Sequence, residues 1–145
     1  MTGLSPASGR RTPDVRTSRR GVAFGTGALV AAARGDRRVW ALHRAALAHG
    51  LVPVVPAQVL AEAARVAGAS TALEHFVVGT EVEVLDRERA QAVASVADQV
   101  GTDGLAGVAV VELAARRSLA VVSDRPHRAA EASATLGHDL VLHVV

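Results

Sequence analysis

The feature that most constrains the fold of this chain is an alternation between short apolar runs and longer segments of helical periodicity. The apolar runs, one of which alternates polar and apolar residues, lie at 22–24, 51–55, 81–85, 119–122 and 140–145. The helical segments lie at 28–33, 36–49, 56–67, 72–78, 87–100, 105–117 and 128–136. Continuous apolar runs are typical of strands buried on both faces, and their alternation with helices indicates a parallel α/β sheet. We therefore predict a three-layer α/β/α sandwich with a five-stranded parallel sheet.

The chain divides into a basic leader and a domain. Residues 1–20 are rich in Ser, Thr, Pro, Gly and Arg, and their five arginines against one aspartate give a net charge of +4. This composition offers little apolar surface to bury, so we predict a disordered basic leader over 1–20. Residues 21–145 hold 11 arginines against 13 acidic residues, a net charge of −2. Charge alone therefore does not indicate a nucleic-acid-binding face on the domain.

Composition excludes several classes of site. The chain has no cysteine, so it has no disulfide framework, thiol nucleophile or cysteine-ligated metal. Its aromatic residues are only Phe24, Trp40 and Phe76. Proteins that bind single-stranded nucleic acid by stacking bases need more aromatic side chains than this.

Three acidic residues are predicted to lie near the carboxyl ends of the strands, where ligands bind in parallel sheets. Asp124 follows the fourth apolar run, Asp103 precedes the 105–117 helix, and Glu62 lies early in the helix after the second run. Carboxylate oxygens are the ligands that Mg²⁺ and Mn²⁺ prefer, so one metal site is a possible reading of the three. Simpler readings stay open: a helix cap at Asp103, a turn at Asp124 and a solvated helix residue at Glu62.

Four short motifs resemble, in order, those of the PIN-domain family, and in particular its small VapC-type toxin ribonucleases. The first is the strand and turn VAFGTGALVA at 22–31, and the second is PAQVLAE at 56–62. The third is Thr102-Asp103 before an Ala/Val-rich helix, and the fourth is VVSD at 121–124. The resemblance covers residues 21–145 and implies a PIN-like domain.

The resemblance also implies a function and a site. Members of this family are typically endoribonucleases that depend on Mg²⁺ or Mn²⁺. It implies that Glu62, Asp103 and Asp124 are the catalytic carboxylates and the metal ligands. Thr26 and Ser123 would then supply hydroxyl groups that orient a carboxylate or a water molecule. The implied partners are RNA, a cognate antitoxin and a second copy of the chain in a homodimer, with no membrane and a cytoplasmic location.

The sequence departs from the family at the first motif. Gly25 stands where the family has its first-strand aspartate, and Ala106 stands where many relatives carry a second acid in the third motif. Asp36 is 11 residues beyond Gly25 and past a helix, so it is a poor substitute. Two functions follow from this departure: a weakened metal-dependent endoribonuclease, or a catalytically inactive PIN-fold protein that binds an antitoxin or RNA.

Two further alternatives arise near the start of the domain. Ser18-Arg19-Arg20 followed by the apolar run 21–33 resembles a twin-arginine export signal, although the same run is needed for the first strand and helix. Gly25-Thr26-Gly27 after a strand resembles part of a dinucleotide-binding fingerprint. The third glycine of that fingerprint is absent because Val30 occupies its position.

Overall fold

The computed structural model describes residues 21–101, 104–137 and 141–145, so the predicted leader lies outside the described residues. The described residues form five strands: β1 (Val22–Phe24), β2 (Val54–Pro56), β3 (Glu81–Glu83), β4 (Ala120–Ser123) and β5 (Leu142–Val144). They also form seven helices: α1 (Thr26–Ala33), α2 (Arg37–Ala48), α3 (Ala57–Ala67), α4 (Thr71–Val78), α5 (Arg87–Val100), α6 (Leu105–Arg117) and α7 (Pro126–Thr135).

The five strands form one parallel sheet in the order β3-β2-β1-β4-β5. In the centre of the sheet, Ala23 of β1 pairs with Val54 on one side and with Val121 on the other. This confirms the predicted α/β class and the five-stranded parallel sheet, and the helices complete a three-layer α/β/α arrangement. Parallel neighbours need crossover connections, which the helices between successive strands provide.

The inner strands are buried on both faces, as their continuous apolar sequence predicts. Every residue of β1 is inaccessible to solvent, and β2 and β4 are buried except at Ser123. Helix α6 packs across β1, β2 and β4, where Leu113 is fully buried. Burial of such side chains contributes about 1.5–3 kcal/mol each, so the sheet and α6 supply much of the free energy of folding.

An aromatic cluster connects β1 to α2 and α4. The ring of Phe76 lies 4.2 Å from His43, 5.1 Å from Phe24 and 5.0 Å from Trp40, measured between centroids. His43 is 4% exposed, its Nε2 lies 3.0 Å from Thr80 Oγ1, and burial lowers its pKa. His43 is therefore part of the packed core between β1, α2 and α4.

Several element boundaries differ from the predictions. The second strand was expected at 51–55, but Leu51 donates its N–H to Ala46 of α2, which holds it to the end of that helix. Pro56 was expected to begin a helix, but it is the last residue of β2 and α3 begins at Ala57. The predicted strand 81–85 ends at Glu83, since β3 is an edge strand with a partner, β2, on one side.

The first and last crossover helices begin earlier than predicted. Helix α1 begins at Thr26 because Gly25, in extended conformation, occupies the N-cap position. Helix α7 begins at Pro126, whose fixed φ suits the first turn of a helix. The predicted caps Thr102 and Asp103 lie outside the described residues, and the N-cap position of α6 is Gly104.

The strand order locates the place where a ligand is expected to bind. From β1 the chain goes first to β2 and β3 on one side, and later to β4 and β5 on the other. The order therefore reverses between β1 and β4, and ligands of open α/β sheets bind in the crevice outside such a switch point. The described helices include none long and apolar enough to cross a membrane.

Candidate functional site

An open cleft lies outside the carboxyl edge of the sheet and has a volume of about 1390 Å³. The β1–α1 turn and the β4–α7 turn, which flank the switch point, both line it. Four of the five residues singled out in the sequence, Thr26, Glu62, Ser123 and Asp124, also line this cleft. The fifth, Asp103, lies outside the described residues.

Gly25 ends the central strand without placing a side chain in the cleft. Its N–H donates to the carbonyl of Val122 at 2.9 Å, and its φ of −81° and ψ of 175° suit any residue. A Cβ built on Gly25 would lie 3.4 Å from the Val122 carbonyl oxygen and 3.9 Å from Val110 Cγ1, which are ordinary contacts. The backbone therefore does not require glycine here, and the missing carboxylate is a feature of the sequence alone.

The hydroxyl group of Thr26 is buried at the first residue of α1. Its Oγ1 has no hydrogen-bond partner among the described residues. A buried hydroxyl without a partner costs free energy, so a further group, such as a water molecule or a ligand atom, would stabilise it. The orienting role of Thr26 stays a prediction, because no described atom is in contact with its hydroxyl group as a hydrogen-bond partner.

Ser123 and Asp124 form the turn between β4 and α7. Ser123 Oγ accepts a hydrogen bond from the N–H of Arg125 at 2.9 Å, so its hydroxyl group stabilises the turn. The Asp124 carboxylate lies directly over Gly27, and a Cβ on Gly27 would come within 2.1 Å of Asp124 Oδ1. Glycine at position 27 therefore makes room for Asp124 beside the first turn of α1. The contact between Asp124 and Gly27 therefore joins the β4–α7 turn to the start of α1 across the switch point.

Glu62 faces the cleft and is neutralised by a neighbour on its own helix. Glu62 Oε2 accepts a hydrogen bond from Arg65 Nε at 3.1 Å and a second, shorter one from Arg65 Nη2. Both side chains remain partly exposed, at 38% for Glu62 and 74% for Arg65. Glu62 is therefore both a cleft-lining residue and the partner of an arginine on its own helix.

The described residues do not by themselves fit a divalent cation. They include no group of three His, Asp or Glu side chains close enough to hold one metal ion. Gly25 contributes no carboxylate, Ala106 lines the cleft without one, and Glu62 is engaged by Arg65. A metal site of the predicted type would require Asp103, and its position is outside the part of the chain that the structure describes.

Arginine side chains around the cleft were not singled out by the sequence analysis. The four that line it are Arg34, Arg65, Arg125 and Arg128. Within the described ranges, Arg34, Arg125 and Arg128 form no ion pair. Arg125 and Arg128 follow Asp124 at the start of α7, and this proximity to the fourth motif was the signal available in the sequence. Comparison with known proteins assigns no family: no protein-family model matches this chain, and no curated protein shows significant similarity to it.

Proposed function

We propose that this chain is a PIN-like protein that binds RNA in the cleft at the carboxyl edge of its sheet and does not cleave it. The observation that carries the proposal is the composition of the cleft. The cleft has the location that the resemblance implies for the family's active site, but Gly25 presents no acid and four arginines are among the lining residues.

Four arginines and four acids line the cleft, and the arginines that form no ion pair among the described residues favour a polyanion as the ligand. Glu62 is paired with Arg65, and Asp36 accepts hydrogen bonds from the N–H groups of Arg38 and Val39 as the cap of α2. Both acids therefore already have partners, whereas Asp124 and Glu131, which also line the cleft, form no ion pair among the described residues. The guanidinium groups of Arg34, Arg125 and Arg128 form no ion pair with the described residues, and they are suited to phosphate oxygens because a guanidinium presents several donors in one plane.

A second candidate is a metal-dependent endoribonuclease with weak activity. The unpartnered Thr26 hydroxyl favours it, since such a group is suited to orienting a ligand of the cleft. Under this candidate, Glu62, Asp103 and Asp124 would hold Mg²⁺ or Mn²⁺, which would activate water for phosphodiester hydrolysis. A cognate antitoxin would then act by covering the same cleft, in a monomer or in a homodimer.

A binding and cleavage assay distinguishes the two candidates. A short fluorescein-labelled single-stranded oligoribonucleotide is titrated with the full chain at low ionic strength, and its integrity is followed with Mg²⁺ or Mn²⁺ present. We expect binding without appreciable cleavage. Cleavage that disappears in Asp124→Asn would instead establish the second candidate, and absence of binding under every condition would contradict both.

Two variants test whether RNA occupies the cleft. Arg125→Gln combined with Arg128→Gln removes two unpaired charges from the cleft, and we expect weaker binding. Arg44→Gln combined with Arg87→Gln is the matched control, because both arginines are exposed, neither is among the cleft-lining residues, and neither has an ion pair in the described structure. If the cleft variant and the control variant lose RNA affinity equally, the RNA binds outside the cleft.

A further inference from the structure

We infer that polyanion binding in this cleft is independent of divalent cations, because arginine side chains provide the positive charge that a metal ion would otherwise provide. This inference rests on the proposed RNA-binding function and extends it. Three features of the site carry it: the absence of an acid at Gly25, the pairing of Glu62 with Arg65, and the unpaired arginines at the opening.

The first feature concerns negative charge beside the switch point. A divalent cation is held by several hard oxygen ligands, and each missing carboxylate removes one ligand and one charge. Gly25 ends the central strand between β2 and β4, next to the Val122 carbonyl, and supplies neither. The described acids that line the cleft without an ion pair are Glu131 and Asp124, and the carboxylate of Asp124 lies over Gly27.

The second feature concerns Glu62. Two donors of the Arg65 guanidinium bind the same oxygen, Oε2, so the charge on this acid is balanced within α3. A free carboxylate at this position would repel phosphate groups entering the cleft. Arg65 therefore has the electrostatic effect on Glu62 that a bound cation would have, and it is covalently part of the chain.

The third feature concerns the phosphate contacts themselves. Arg34, Arg125 and Arg128 line the cleft and have no ion pair among the described residues. Three phosphate contacts to a single strand predict that log K falls with log salt concentration at a slope of about −2, because each contact contributes about −0.7. Removing one of the three arginines should make the slope shallower by about 0.7.

The experiment compares RNA binding by the full chain in EDTA and in Mn²⁺ at matched ionic strength, with the same labelled oligoribonucleotide. We expect equal affinities and the predicted salt slope in both. Binding that appears only with Mn²⁺ would overturn the inference while leaving an RNA-binding function intact. Failure to bind in either buffer would contradict the proposed function itself.

Arg65 provides a second and sharper test. In Arg65→Gln, Glu62 loses its partner, so we expect weaker RNA binding in EDTA and partial recovery on adding Mn²⁺. In the double variant Arg65→Gln with Glu62→Gln, both charges are removed, and the affinity should return to within about twofold of the unmodified chain. An unrecovered affinity in the double variant would show that Arg65 contacts phosphate directly, and would overturn its role as a substitute cation.

Discussion

Two regions of this domain use arginine in opposite ways. Beside the edge strand β3, Arg116 Nη2 lies 2.6 Å from Glu83 Oε1, and Arg116 Nε lies 3.0 Å from Glu112 Oε2. Arg117 contacts Glu81 at 2.9 Å in the same region. At the cleft, by contrast, Arg34, Arg125 and Arg128 have no ion pair within the described ranges. The first set holds elements together, and the second is available to a ligand.

The difference follows from where the acids are placed. Glu112 of α6 is 12% exposed and accepts hydrogen bonds from both Arg89 and Arg116, so one carboxylate links α5 to α6. Burial opposes the charge of Arg116, but hydrogen bonds to Glu112 and Glu83 raise its pKa above the ordinary value. Arginines with several acceptors contribute to folding, whereas arginines without acceptors add to the positive potential that attracts phosphate.

Four experiments test this contrast between the cleft and the region beside β3.

The largest change is expected from placing a carboxylate in the cleft with Gly25→Asp. The backbone at position 25 accepts a side chain, so the variant should fold, and its affinity for Mn²⁺ should rise by roughly 10–100-fold. RNA affinity in EDTA should fall at the same time. Calorimetric titration with Mn²⁺ measures the first effect. Gly25→Asn, with the same shape and no charge, is the control and should show neither change.

Further substitutions test whether the higher Mn²⁺ affinity of Gly25→Asp depends on the other carboxylates. Adding Glu62→Ala, Asp103→Ala or Asp124→Ala to Gly25→Asp should abolish it, because each removes a carboxylate that we expect to share the ion. Unchanged Mn²⁺ affinity in a folded Gly25→Asp protein would mean that position 25 does not adjoin a metal-binding set.

The second effect concerns the network beside β3. Glu112→Gln should lower the free energy of unfolding by about 1–2 kcal/mol, because the variant leaves two charged partners of a largely buried group without their carboxylate. This corresponds to a Tm lower by about 4–8 °C for a domain of this size. Glu131→Gln, at the cleft, should leave Tm unchanged. Similar losses in the two variants would show that cleft charges also hold the fold together.

The third effect concerns the contact across the switch point. Gly27→Ala should displace the Asp124 carboxylate, because the added Cβ would otherwise lie 2.1 Å from it. In the Asp124→Ala background the same change should stabilise α1 by about 0.5–1 kcal/mol, since alanine is preferred to glycine in helices. A double-mutant cycle by denaturant unfolding should give a coupling energy of about 1 kcal/mol. Additive effects would mean that the two residues do not touch.

The smallest expected effect is on the pH dependence of the free energy of unfolding. The hydrogen bonds from Arg117 lower the pKa of Glu81 below its ordinary value of 4.5. The pair therefore stabilises the fold fully above pH 4.5, and this contribution is lost as the pH falls through the lower pKa of the folded state. Glu81→Gln should lower the free energy of unfolding by less than about 1 kcal/mol at neutral pH, because the pair is partly exposed. In strong acid, where Glu81 is protonated, the variant and the unmodified chain should have the same free energy of unfolding.

Hydrophobic pattern was sufficient to predict much of this fold. The continuous apolar runs of β1, β2 and β4 could be buried only between two layers, and their alternation with helices required parallel pairing. The start of α2 is likewise determined locally, because the carboxylate of Asp36 accepts hydrogen bonds from the N–H groups two and three residues later. Boundaries such as that of β2 were not predictable, since the bond from Leu51 to Ala46 depends on the path of the chain after Gly50.

The sequence by itself determined which chemical groups are present at the cleft and which are absent: a glycine at position 25, and acids at positions 62 and 124. Only the tertiary structure decided which of them act together. The approach of Asp124 to Gly27 joins residues 97 positions apart, because parallel pairing of β1 with β4 brings their carboxyl ends to one edge. The tertiary structure also decides whether an arginine forms an ion pair. An ion pair requires a guanidinium nitrogen and a carboxylate oxygen within a few ångströms, and the order of residues does not specify that distance.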